Sequence, residues 1–502
     1  ELGKIFPSVP IWVGGPEVSY DTKDVLERLP EVTGVIFGEG EKTFLEVVEY
    51  YHGKDMQLSE IKGIAYRGEE GEFLQNSWRE VMDLSEVPFV YHDMADFKNK
   101  IIYYESSRGC PFSCSYCLSS IDKCLRFRKL ELVEKELQFF IDEEVPQVKF
   151  VDRTFNCNHK HAIAIWKYIK EHEKGITNFH FEVAADLLNE EELKLIESMR
   201  PGLIQLEIGV QSTNEQTIRE IRRTMRFEEV ARIVQRINQG ENVHQHLDLI
   251  AGLPYEGMES FQKSFDDVYR LHPEQLQLGF LKVLKGSFMY EHTEEYDCHY
   301  QEREPYEVLY TKWLPYDDVL KLKDVEEMVE VYYNSGQFVH TLPMIERLYE
   351  NPFDFFQELG DFYRAKGYSE AAHNRIQRYE ILLGFLQDEK QQDEAFFRQM
   401  MVLDLYAREN MKTRPHFAKD PSEWKNESRD FYQKEAETRT LLPSYTTYDW
   451  KQLQRMTHVE VFDYDVLGNG EKARRVILFD YQKRDPLTGN AEMIDCSSGF
   501  YA

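Results

Sequence analysis

Three cysteines within eight residues are the part of this chain best suited to chemistry. The segment RGCPFSCSYCLSS places Cys110, Cys114 and Cys117 in the spacing C-x3-C-x2-C. Three thiolates on one short loop can hold three irons of a [4Fe–4S] cluster and leave the fourth iron open, whereas electron-transfer clusters commonly use four cysteines. Because an open iron can coordinate a substrate, the spacing predicts a cluster at which a reaction takes place.

Two other interpretations of these cysteines are weaker. A structural zinc site needs four closed ligands, commonly paired C-x2-C knuckles, and no fourth ligand here has a matching spacing. Inert buried cysteines would not need to crowd into one Gly, Pro and Ser rich loop. Cys124 and Cys157 lie close enough in sequence to suggest a hydrogen donor, but a lone cysteine is most often a small buried hydrophobe.

Composition excludes several classes of protein. The chain has 502 residues, with 60 Lys and Arg against 90 Asp and Glu, and its formal charge of −30 argues against a protein that coats nucleic acid. No apolar run approaches the length of a membrane span. Seven cysteines in so long a chain favour a reducing, cytoplasmic compartment over a secreted disulfide scaffold. One basic stretch reads as a solvated face rather than a substrate site, namely Lys123, Arg126, Arg128 and Lys129.

The elements that must position the cysteines form an α/β unit. Six apolar strand segments alternate with helical segments of period near 3.6, without an obvious hairpin, so we predict parallel strands joined by crossovers. The cysteine loop follows the first strand, and active sites lie at the C-terminal mouth of parallel barrels. The count fits a partial TIM-like (β/α)6 barrel. The predicted strands cover residues 101–107, 147–152, 178–183, 203–209, 244–250 and 276–283.

The flanks of the barrel show patterns of their own. Residues 10–51 alternate strand, glycine turn and helix, which is how open α/β sheets present ligand sites, and a hairpin follows. We expect further residues before Glu1, because it appears inside a helix that leads into the first strand; no signal peptide is visible. The predicted domains are 1–78, a linker at 79–100, the barrel at 101–302, and an accessory domain at 303–502.

The accessory domain is predicted to be helical first and β at its end. HVEVFDYD, a GNGE turn and RRVILFDYQ predict a terminal β-hairpin. The aromatic segment YENPFDFFQELGDFY could form either a lid over the barrel or the core of a helix. A periodic aromatic stripe usually packs inward, so helical core is the preferred interpretation.

The cysteine motif, with Tyr116 just before its last cysteine, resembles the signature of radical S-adenosylmethionine (SAM) enzymes. LEIGVQS (206–212), Arg223 in IRRTMRF, and DLIAGLP (248–254) follow the order of the branch that includes coproporphyrinogen dehydrogenase and the cobalamin-dependent enzymes. The resemblance covers about residues 101–285. It implies that Cys110, Cys114 and Cys117 bind the cluster, and that reductive cleavage of SAM yields a 5′-deoxyadenosyl radical that takes hydrogen from a substrate.

The resemblance also implies residues at the adenine and methionine ends of SAM. Tyr116 would lend its backbone to the adenine side, and Thr154 would lie near the methionine end. Arg223 would pair with the methionine carboxylate, which suits the guanidinium fork. Where the family usually has GGT after its second strand, this sequence has Arg153 before Thr154. Arg222 reads as a solvated helix residue rather than a ligand.

Three further residues would hold the middle of SAM. The resemblance implies that Glu182 binds the amino or ribose region and that Gln211 and Asp248 face the ribose. Hydroxyl groups suit carboxylates and amides, and a sulfonium suits nearby acids. Glu207 has two open interpretations: a functional carboxylate, or an inward barrel carboxylate paired with a Lys or Arg.

The N-terminal region resembles part of another domain of these enzymes. VGGPEVS and FGEGEKTF are similar to the second half of a Rossmann-like cobalamin-binding domain. Gly14 and Gly15 would let the backbone approach the nucleotide tail, while Gly38 and Gly40 would open the next turn onto a helix. A glycine turn in any flavodoxin-like sheet could look the same. The family's D-x-H-x-x-G loop, whose His ligates cobalt in many members, is not in this sequence.

The leading hypothesis is therefore a cytoplasmic radical SAM enzyme with cobalamin as a candidate third cofactor and methylation of an unactivated carbon as a candidate reaction. Radical rearrangement or oxidation without methyl transfer is the alternative, and a non-catalytic cluster-binding sensor is a third. The expected partners are a small-molecule or peptide substrate and a reductant such as flavodoxin or ferredoxin, not a membrane or a nucleic acid. The C-terminal region resembles the DUF4080 domain, which implies no chemistry.

Overall fold

The computed structural model describes residues 1–98, 100–121, 123–388, 390 and 394–500. The remaining positions lie outside the described residues. They fall in the predicted linker (99), the predicted barrel domain (122) and the predicted accessory domain (389, 391–393, 501 and 502).

The central sheet confirms the predicted partial barrel. It has six parallel strands, and each strand pairs with the next one along the chain. Among the described residues the first and sixth strands do not pair with each other, so the barrel is open. From first to sixth, the barrel strands are Ile102–Tyr104, Gln147–Phe150, Asn178–Val183, Ile204–Gln211, His244–Ala251 and Gln275–Phe280.

Amphipathic helices cover the outside of this sheet. In the first of them, the predicted face of Val133, Leu137, Phe140 and Ile141 is buried, because apolar residues at this spacing share one side of a helix. Each helix follows a strand except Phe227–Asn238, which follows the helix Glu215–Glu220, and the predicted site residues lie in the strands or in the segments after them. The helices are Leu130–Asp142, His159–His172, Glu190–Glu197, Glu215–Glu220, Phe227–Asn238 and Met258–Tyr269.

The N-terminal region forms a separate four-stranded sheet. Its first two strands are parallel and the other pairs are antiparallel, so the predicted hairpin is present. Both faces bury apolar residues, with Val35 on one side and Ile64 on the other. The strands, in order, are Trp12–Gly14, Gly34–Ile36, Ile64–Arg67 and Phe73–Gln75. The helices are Leu2–Ile5, Pro16–Ser19, Thr22–Arg28 and Gly40–Tyr51.

Helices dominate after the barrel. The aromatic segment forms the helix Pro352–Ala365, and its Phe353, Phe355, Phe356 and Phe362 are buried, which confirms the helical-core interpretation. A short antiparallel pair of strands, His299–Tyr300 and Val308–Tyr310, lies between the helices Phe288–Glu291 and Tyr316–Met328. The helices are Phe288–Glu291, Tyr316–Met328 with its π-helical continuation Val329–Asn334, Leu342–Glu346, Pro352–Ala365, Arg375–Asp388, Glu394–Arg408, Lys425–Thr438, Trp450–Met456 and Ser497–Phe500.

The terminal β-structure is larger than predicted. The predicted hairpin is present as Thr457–Tyr464 and Lys472–Arg484, but a third antiparallel strand, Ala491–Asp495, pairs with the second. The hairpin prediction was incomplete because this third strand buries only Ala491 and so has no apolar alternation. Within the described residues, no helix combines the length and the apolar character that crossing a membrane requires.

The barrel and the helices after it share one apolar core, which contains Ile204 of the barrel and Leu322 and Phe355 of the later helices. The predicted domain boundaries remain a prediction. The edge of the sixth barrel strand is covered by Asn334, whose side-chain amide accepts from Leu276 N and donates to Leu276 O, both at 2.9 Å.

Candidate active site

The cysteine loop is shaped by its backbone. Gly109 has φ of +93°, and a Cβ there would lie 2.7 Å from the carbonyl oxygen of Cys124, so only glycine fits. The paired segments Ser107–Arg108 and Arg126–Phe127 close the base of the loop. Ser115 fastens its middle, because its amide donates to Ile221 O at 2.9 Å and its carbonyl accepts from Met289 N at 2.9 Å. The three cysteines are thereby held on one fixed turn.

All nine residues predicted for the cluster and for SAM line one cavity of about 290 Å³ at the C-terminal ends of the barrel strands. They come from the cysteine loop and from the ends of the second, third, fourth and fifth strands or the loops that follow them. These residues are Cys110, Cys114, Cys117, Tyr116, Thr154, Glu182, Gln211, Arg223 and Asp248. The geometry brings the predicted set together, while the role of each residue stays a proposal.

Arg223 joins the fourth strand to the cysteine loop. Its Nη2 donates to the carbonyl oxygen of Gly209, and its Nη1 lies 3.7 Å from Cys114 Sγ. Burial raises the pKa of the Cys114 thiol, and the nearby guanidinium opposes that shift by favouring the thiolate. A Cβ at Gly209 would meet the side-chain amide nitrogen of Gln211, so a larger residue there would displace that amide.

Gln211 is the strained residue of the site. Its φ is +73°, which is rare for a residue other than glycine, and the pairing register of the fourth strand shifts between Gly209 and Gln211. Its Oε1 is buried and has no hydrogen-bond partner among the described residues, and the same is true of Arg223 Nε. Unpaired polar atoms and backbone strain beside a cavity are typical of ligand sites.

Glu207 forms the ion pair that its structural interpretation predicts, and it also lines the cavity. Lys149 Nζ and His180 Nε2 each lie 2.9 Å from Glu207 Oε2. Burial alone would raise the pKa of Glu207, but the hydrogen bonds from His180 and Lys149 outweigh burial and lower it to about 2. Glu207 is therefore a paired, ionised carboxylate in the wall of the cavity.

Glu182 and Asp248 are the two predicted SAM ligands with perturbed carboxyl groups. Burial raises the pKa of Glu182 to about 7, because the Arg153 cation 3.7 Å away compensates only in part. Burial also raises the pKa of Asp248, although His246 Nε2 lies 3.0 Å from Asp248 Oδ1. A positively charged ligand would favour the ionised form of both groups.

Several lining residues were missed by the sequence analysis. Phe112, Asp186 and Met225 line the cavity together with Arg153. Arg153 carried a signal, since it departs from the family's glycine pair, whereas no pattern in the sequence pointed to the other three. Thr154, which follows Arg153 where the family usually has GGT, has its Oγ1 3.6 Å from Cys110 Sγ.

Other predictions near the site need correction. Arg222 is exposed but lies in a turn rather than in a helix, with its guanidinium 3.6 Å above the ring of Phe288. The prediction of a solvated basic face was wrong for Arg128, which is buried because its guanidinium pairs with Glu136 and donates to backbone carbonyls. Arg126 pairs with Glu39 of the N-terminal region at 2.6 Å.

The donor set fits the two expected cofactors of the barrel. Three thiol groups on one loop offer three soft ligands for iron and leave room for a fourth ligand from the cavity. The unpartnered Gln211 Oε1 and Arg223 Nε, together with Glu182 and Asp248, are suited to a ligand with hydroxyls, an ammonium group and a carboxylate.

A second cavity, of about 630 Å³, lies on the N-terminal sheet. It is lined by all four predicted glycines, Gly14, Gly15, Gly38 and Gly40. Gly15 and Gly38 have φ of +106° and +75°, so the backbone is open to a ligand there. No histidine is among the described lining residues, so the described part of this cavity offers no imidazole to cobalt.

Arg108 stands two residues before Cys110 and lines the glycine cavity. Its guanidinium binds Glu105 at 2.9 and 2.8 Å and Glu41 at 2.7 Å. It also lies 3.3 Å from Glu39, the residue that binds Arg126. A ligand in the glycine cavity would therefore touch the same arginine that supports the cysteine loop.

Two family models match parts of this chain. The model of the Radical SAM superfamily matches residues 104–268, and that of a protein of unknown function (DUF4080) matches residues 294–479. An uncharacterized methyltransferase of Pyrococcus horikoshii is 27% identical over 56% of this chain and 62% of its own length. The cobalamin-dependent radical SAM methyltransferase TokK of Streptomyces tokunonensis is 22% identical over 56% of this chain and 44% of its own length.

Among solved structures, the cobalamin-dependent SAM radical enzyme OxsB, with aqua-cobalamin and SAM bound, has a TM-score of 0.52 and 16% identity. That match covers 79% of this chain and 66% of OxsB and concerns the fold alone. The chain spans less than two thirds of the length of each of these three relatives.

Proposed function

We propose that this chain, which carries a radical SAM domain over residues 104–268, is an enzyme that cleaves SAM reductively and abstracts hydrogen from a substrate carbon. What carries the proposal is the convergence of Cys110, Cys114 and Cys117 with six polar or aromatic residues on one cavity. When bound there, a [4Fe–4S] cluster with an open iron supplies the electron that splits SAM into methionine and the 5′-deoxyadenosyl radical.

The residues of the cavity bind and orient SAM. Arg223 presents its guanidinium beside Cys114, where it would hold the methionine carboxylate next to the iron that the three cysteines leave open. The Asp248 carboxylate would accept hydrogen bonds from the ribose hydroxyls, and the Gln211 side-chain amide could donate to them or accept from them. Glu182, in its ionised form, would attract the ammonium or sulfonium group.

A methyl transfer that depends on cobalamin is the more specific reaction we propose. The supporting observation is the glycine cavity, whose lining includes Arg108 of the cysteine-loop base, so that a ligand there would lie beside the barrel mouth. Two relatives are named as methyltransferases, one of them cobalamin-dependent. Radical rearrangement or oxidation without methyl transfer remains the alternative, and a cluster-binding sensor without catalysis is the third candidate.

Anaerobic reconstitution tests the proposal. The purified chain is loaded with iron and sulfide, reduced with dithionite and supplied with SAM. We expect a [4Fe–4S] spectrum and formation of 5′-deoxyadenosine. A chain that takes up no cluster, or a loaded chain that never forms 5′-deoxyadenosine, contradicts the proposal and leaves the sensor or a binding protein.

The products then separate the two enzymatic reactions. Methyl transfer gives a methylated substrate together with S-adenosylhomocysteine and 5′-deoxyadenosine, whereas rearrangement or oxidation gives 5′-deoxyadenosine without S-adenosylhomocysteine. Equilibrium binding of hydroxocobalamin to the full chain tests the glycine cavity independently. We further propose a small-molecule or peptide substrate, a flavodoxin or ferredoxin as the reductant, and the reducing cytoplasm as the compartment of so oxygen-sensitive a site.

A further inference from the structure

Glu256 is a buried carboxyl group that lies outside the cavity and has no role in the mechanism above. It follows the fifth-strand motif DLIAGLP and has no exposed surface. Its Oε1 accepts hydrogen bonds from Ser212 at 2.6 Å and Ser264 at 3.0 Å, with Ser260 at 3.5 Å. Its Oε2 is buried without a partner among the described residues. Burial raises the pKa of Glu256 to about 7, because three hydroxyls compensate only in part.

Ser212, the closest of these donors, directly follows the strained Gln211. Its hydroxyl oxygen also accepts from Asn214 N at 3.0 Å, and the next amide, Thr213 N, donates to Ser264 Oγ at 3.0 Å. The turn that leaves the fourth strand is thus fixed on both sides by groups that meet at Glu256. A left-handed conformation at a residue other than glycine costs about 1–3 kcal/mol and persists only when its surroundings hold it.

The same turn is fastened to the loop after the fifth strand. Thr217 Oγ1 donates to Pro254 O at 2.9 Å, and Asn214 Nδ2 donates to Tyr255 O at 3.1 Å. These contacts hold the ends of the fourth and fifth strands together. Those are the strands that carry Gln211 and Asp248, the two residues proposed for the ribose.

We propose that Glu256 is a positioning residue for SAM: by accepting from Ser212, its Oε1 keeps Gln211 in its left-handed conformation, with the amide in the cavity. This inference rests on the proposed function, since it assumes that the cavity binds SAM. Glu256 does not line the cavity and touches no part of a bound ligand. Its effect passes through Ser212 and the backbone of Gln211.

The role depends on a hydrogen-bond acceptor rather than on a negative charge, and this makes it distinct from a general contribution to stability. Glu256→Gln keeps an oxygen at the Oε1 position and is close in size. Glu256→Ala removes the acceptor and leaves the Ser212 and Ser264 hydroxyls without their buried partner. Loss of such a partner costs about 1–3 kcal/mol, or about fivefold to a hundredfold in an equilibrium constant.

The test measures the Kd of SAM for the cluster-loaded, unreduced full chain, in which no cleavage occurs. We expect Glu256→Ala to raise the Kd by about tenfold or more. Glu256→Gln is expected to stay within about twofold of wild type. Glu274→Ala is the matched control. Burial raises the pKa of Glu274 as it does that of Glu256, and Glu274 accepts a hydrogen bond from Gln245 N at 2.6 Å. Glu274 lies at the opposite end of the barrel, away from the cavity.

Steady-state 5′-deoxyadenosine formation gives a second readout. A positioning role raises the KM for SAM in Glu256→Ala and leaves the rate at saturating SAM within about twofold, because the lost interaction is a binding one. Ser212→Ala is expected to raise the Kd for SAM as Glu256→Ala does, because both variants remove the hydrogen bond between Ser212 and Glu256. For the same reason the double variant should bind SAM no more weakly than the weaker-binding single variant.

Three results overturn the inference. The first is a folded Glu256→Ala variant that binds SAM as wild type does, and the second is Glu256→Gln losing as much affinity as Glu256→Ala. If Glu256→Ala does not fold, the test uses Ser212→Ala instead. The third result against the inference is then a Ser212→Ala variant that binds SAM with wild-type affinity. A cluster-loaded wild type that binds no SAM contradicts the proposed function instead, so the two failures are distinguishable.

Discussion

At the scale of the residue, the site is a short relay of contacts from the fourth barrel strand to the cysteine loop. Gln211 lies over Gly209, Arg223 donates to Gly209, and the same guanidinium reaches Cys114. The relay connects a predicted SAM ligand to a predicted iron ligand through the backbone of Gly209 and the side chain of Arg223. A change at any one of these positions should therefore alter both cofactors.

The first prediction concerns the cluster itself. Cys114→Ala should abolish cluster uptake, from about four irons per chain to near zero, because two thiolates cannot hold the cube. Iron analysis and the visible absorbance after anaerobic reconstitution measure it. Cys298→Ala is the control, since Cys298 is also buried but stands outside the motif. Full iron content in Cys114→Ala would contradict the assignment of this loop as the cluster-binding loop.

The second prediction uses the pKa of Glu182, which burial raises to about 7. Below that pH the carboxyl group is neutral, and above it the carboxylate attracts the positive charge of SAM. The affinity of the cluster-loaded chain for SAM should therefore rise by up to about tenfold between about pH 6 and about pH 8. Glu182→Gln removes the titrating group and is expected to flatten the difference. Equal pH profiles for the two proteins would contradict the role of Glu182.

Many of the residues that line the cavity could be predicted from the sequence. Cys110, Cys114 and Cys117 are constrained by local spacing, and local spacing is visible in a sequence. Gln211 and Asp248 were predicted because the motifs around them resemble those of radical SAM enzymes, and both line the cavity. Phe112 and Met225 were missed although they stand inside quoted motifs, because a motif does not show which of its variable positions face the cavity, and Asp186 stands in no motif.

At the scale of the element, the cysteine loop is held by its glycine. Gly109→Ala combines a left-handed φ with a Cβ 2.7 Å from the Cys124 carbonyl, so we expect a loss of about 1–3 kcal/mol in the free energy of unfolding and reduced cluster uptake. Thermal unfolding and iron content measure the two effects.

Gly175→Ala is the matched control for that variant. Gly175 has φ of +83°, but a Cβ there would meet nothing within 4 Å, so the control carries the conformational cost without the collision. We expect Gly175→Ala to lose less stability and to keep its iron. If the two variants behaved alike, the close approach to Cys124 would not be what shapes the loop.

The elements themselves were predictable to different degrees. All six barrel strands were identified because each is a short segment rich in apolar residues, bounded by turns, and each buries at least two residues. The terminal strand Ala491–Asp495 escaped because it is mostly exposed and its residues do not alternate. Periodicity reports burial, and an element that buries little leaves no periodic signal.

At the scale of the whole molecule, the N-terminal sheet is joined to the barrel by charge. Arg108→Ala removes the guanidinium shared by Glu39, Glu41 and Glu105 and leaves three carboxylates close together. We expect a cost of about 1–3 kcal/mol, expressed as faster hydrogen exchange over residues 34–47. Hydrogen exchange with mass spectrometry measures it.

Arg28→Ala is the control for this variant, because Arg28 forms an exposed pair with Asp24 within the same N-terminal region. An exposed pair of this kind contributes little, so exchange should stay as in wild type. Unchanged exchange in Arg108→Ala would mean that other contacts, such as the Lys285 to Asp21 ion pair at 2.6 Å, hold the sheet in place.

The side-chain amide of Asn334 protects an exposed edge of the barrel. An open barrel presents unpaired backbone groups on its sixth strand, and such an edge recruits strands from other molecules and leads to aggregation. Asn334 imitates a neighbouring strand at Leu276, offering one acceptor and one donor in the places where a seventh strand would have them. A barrel expressed without residues after 302 would lose this protection, so we expect it to precipitate where the full chain does not.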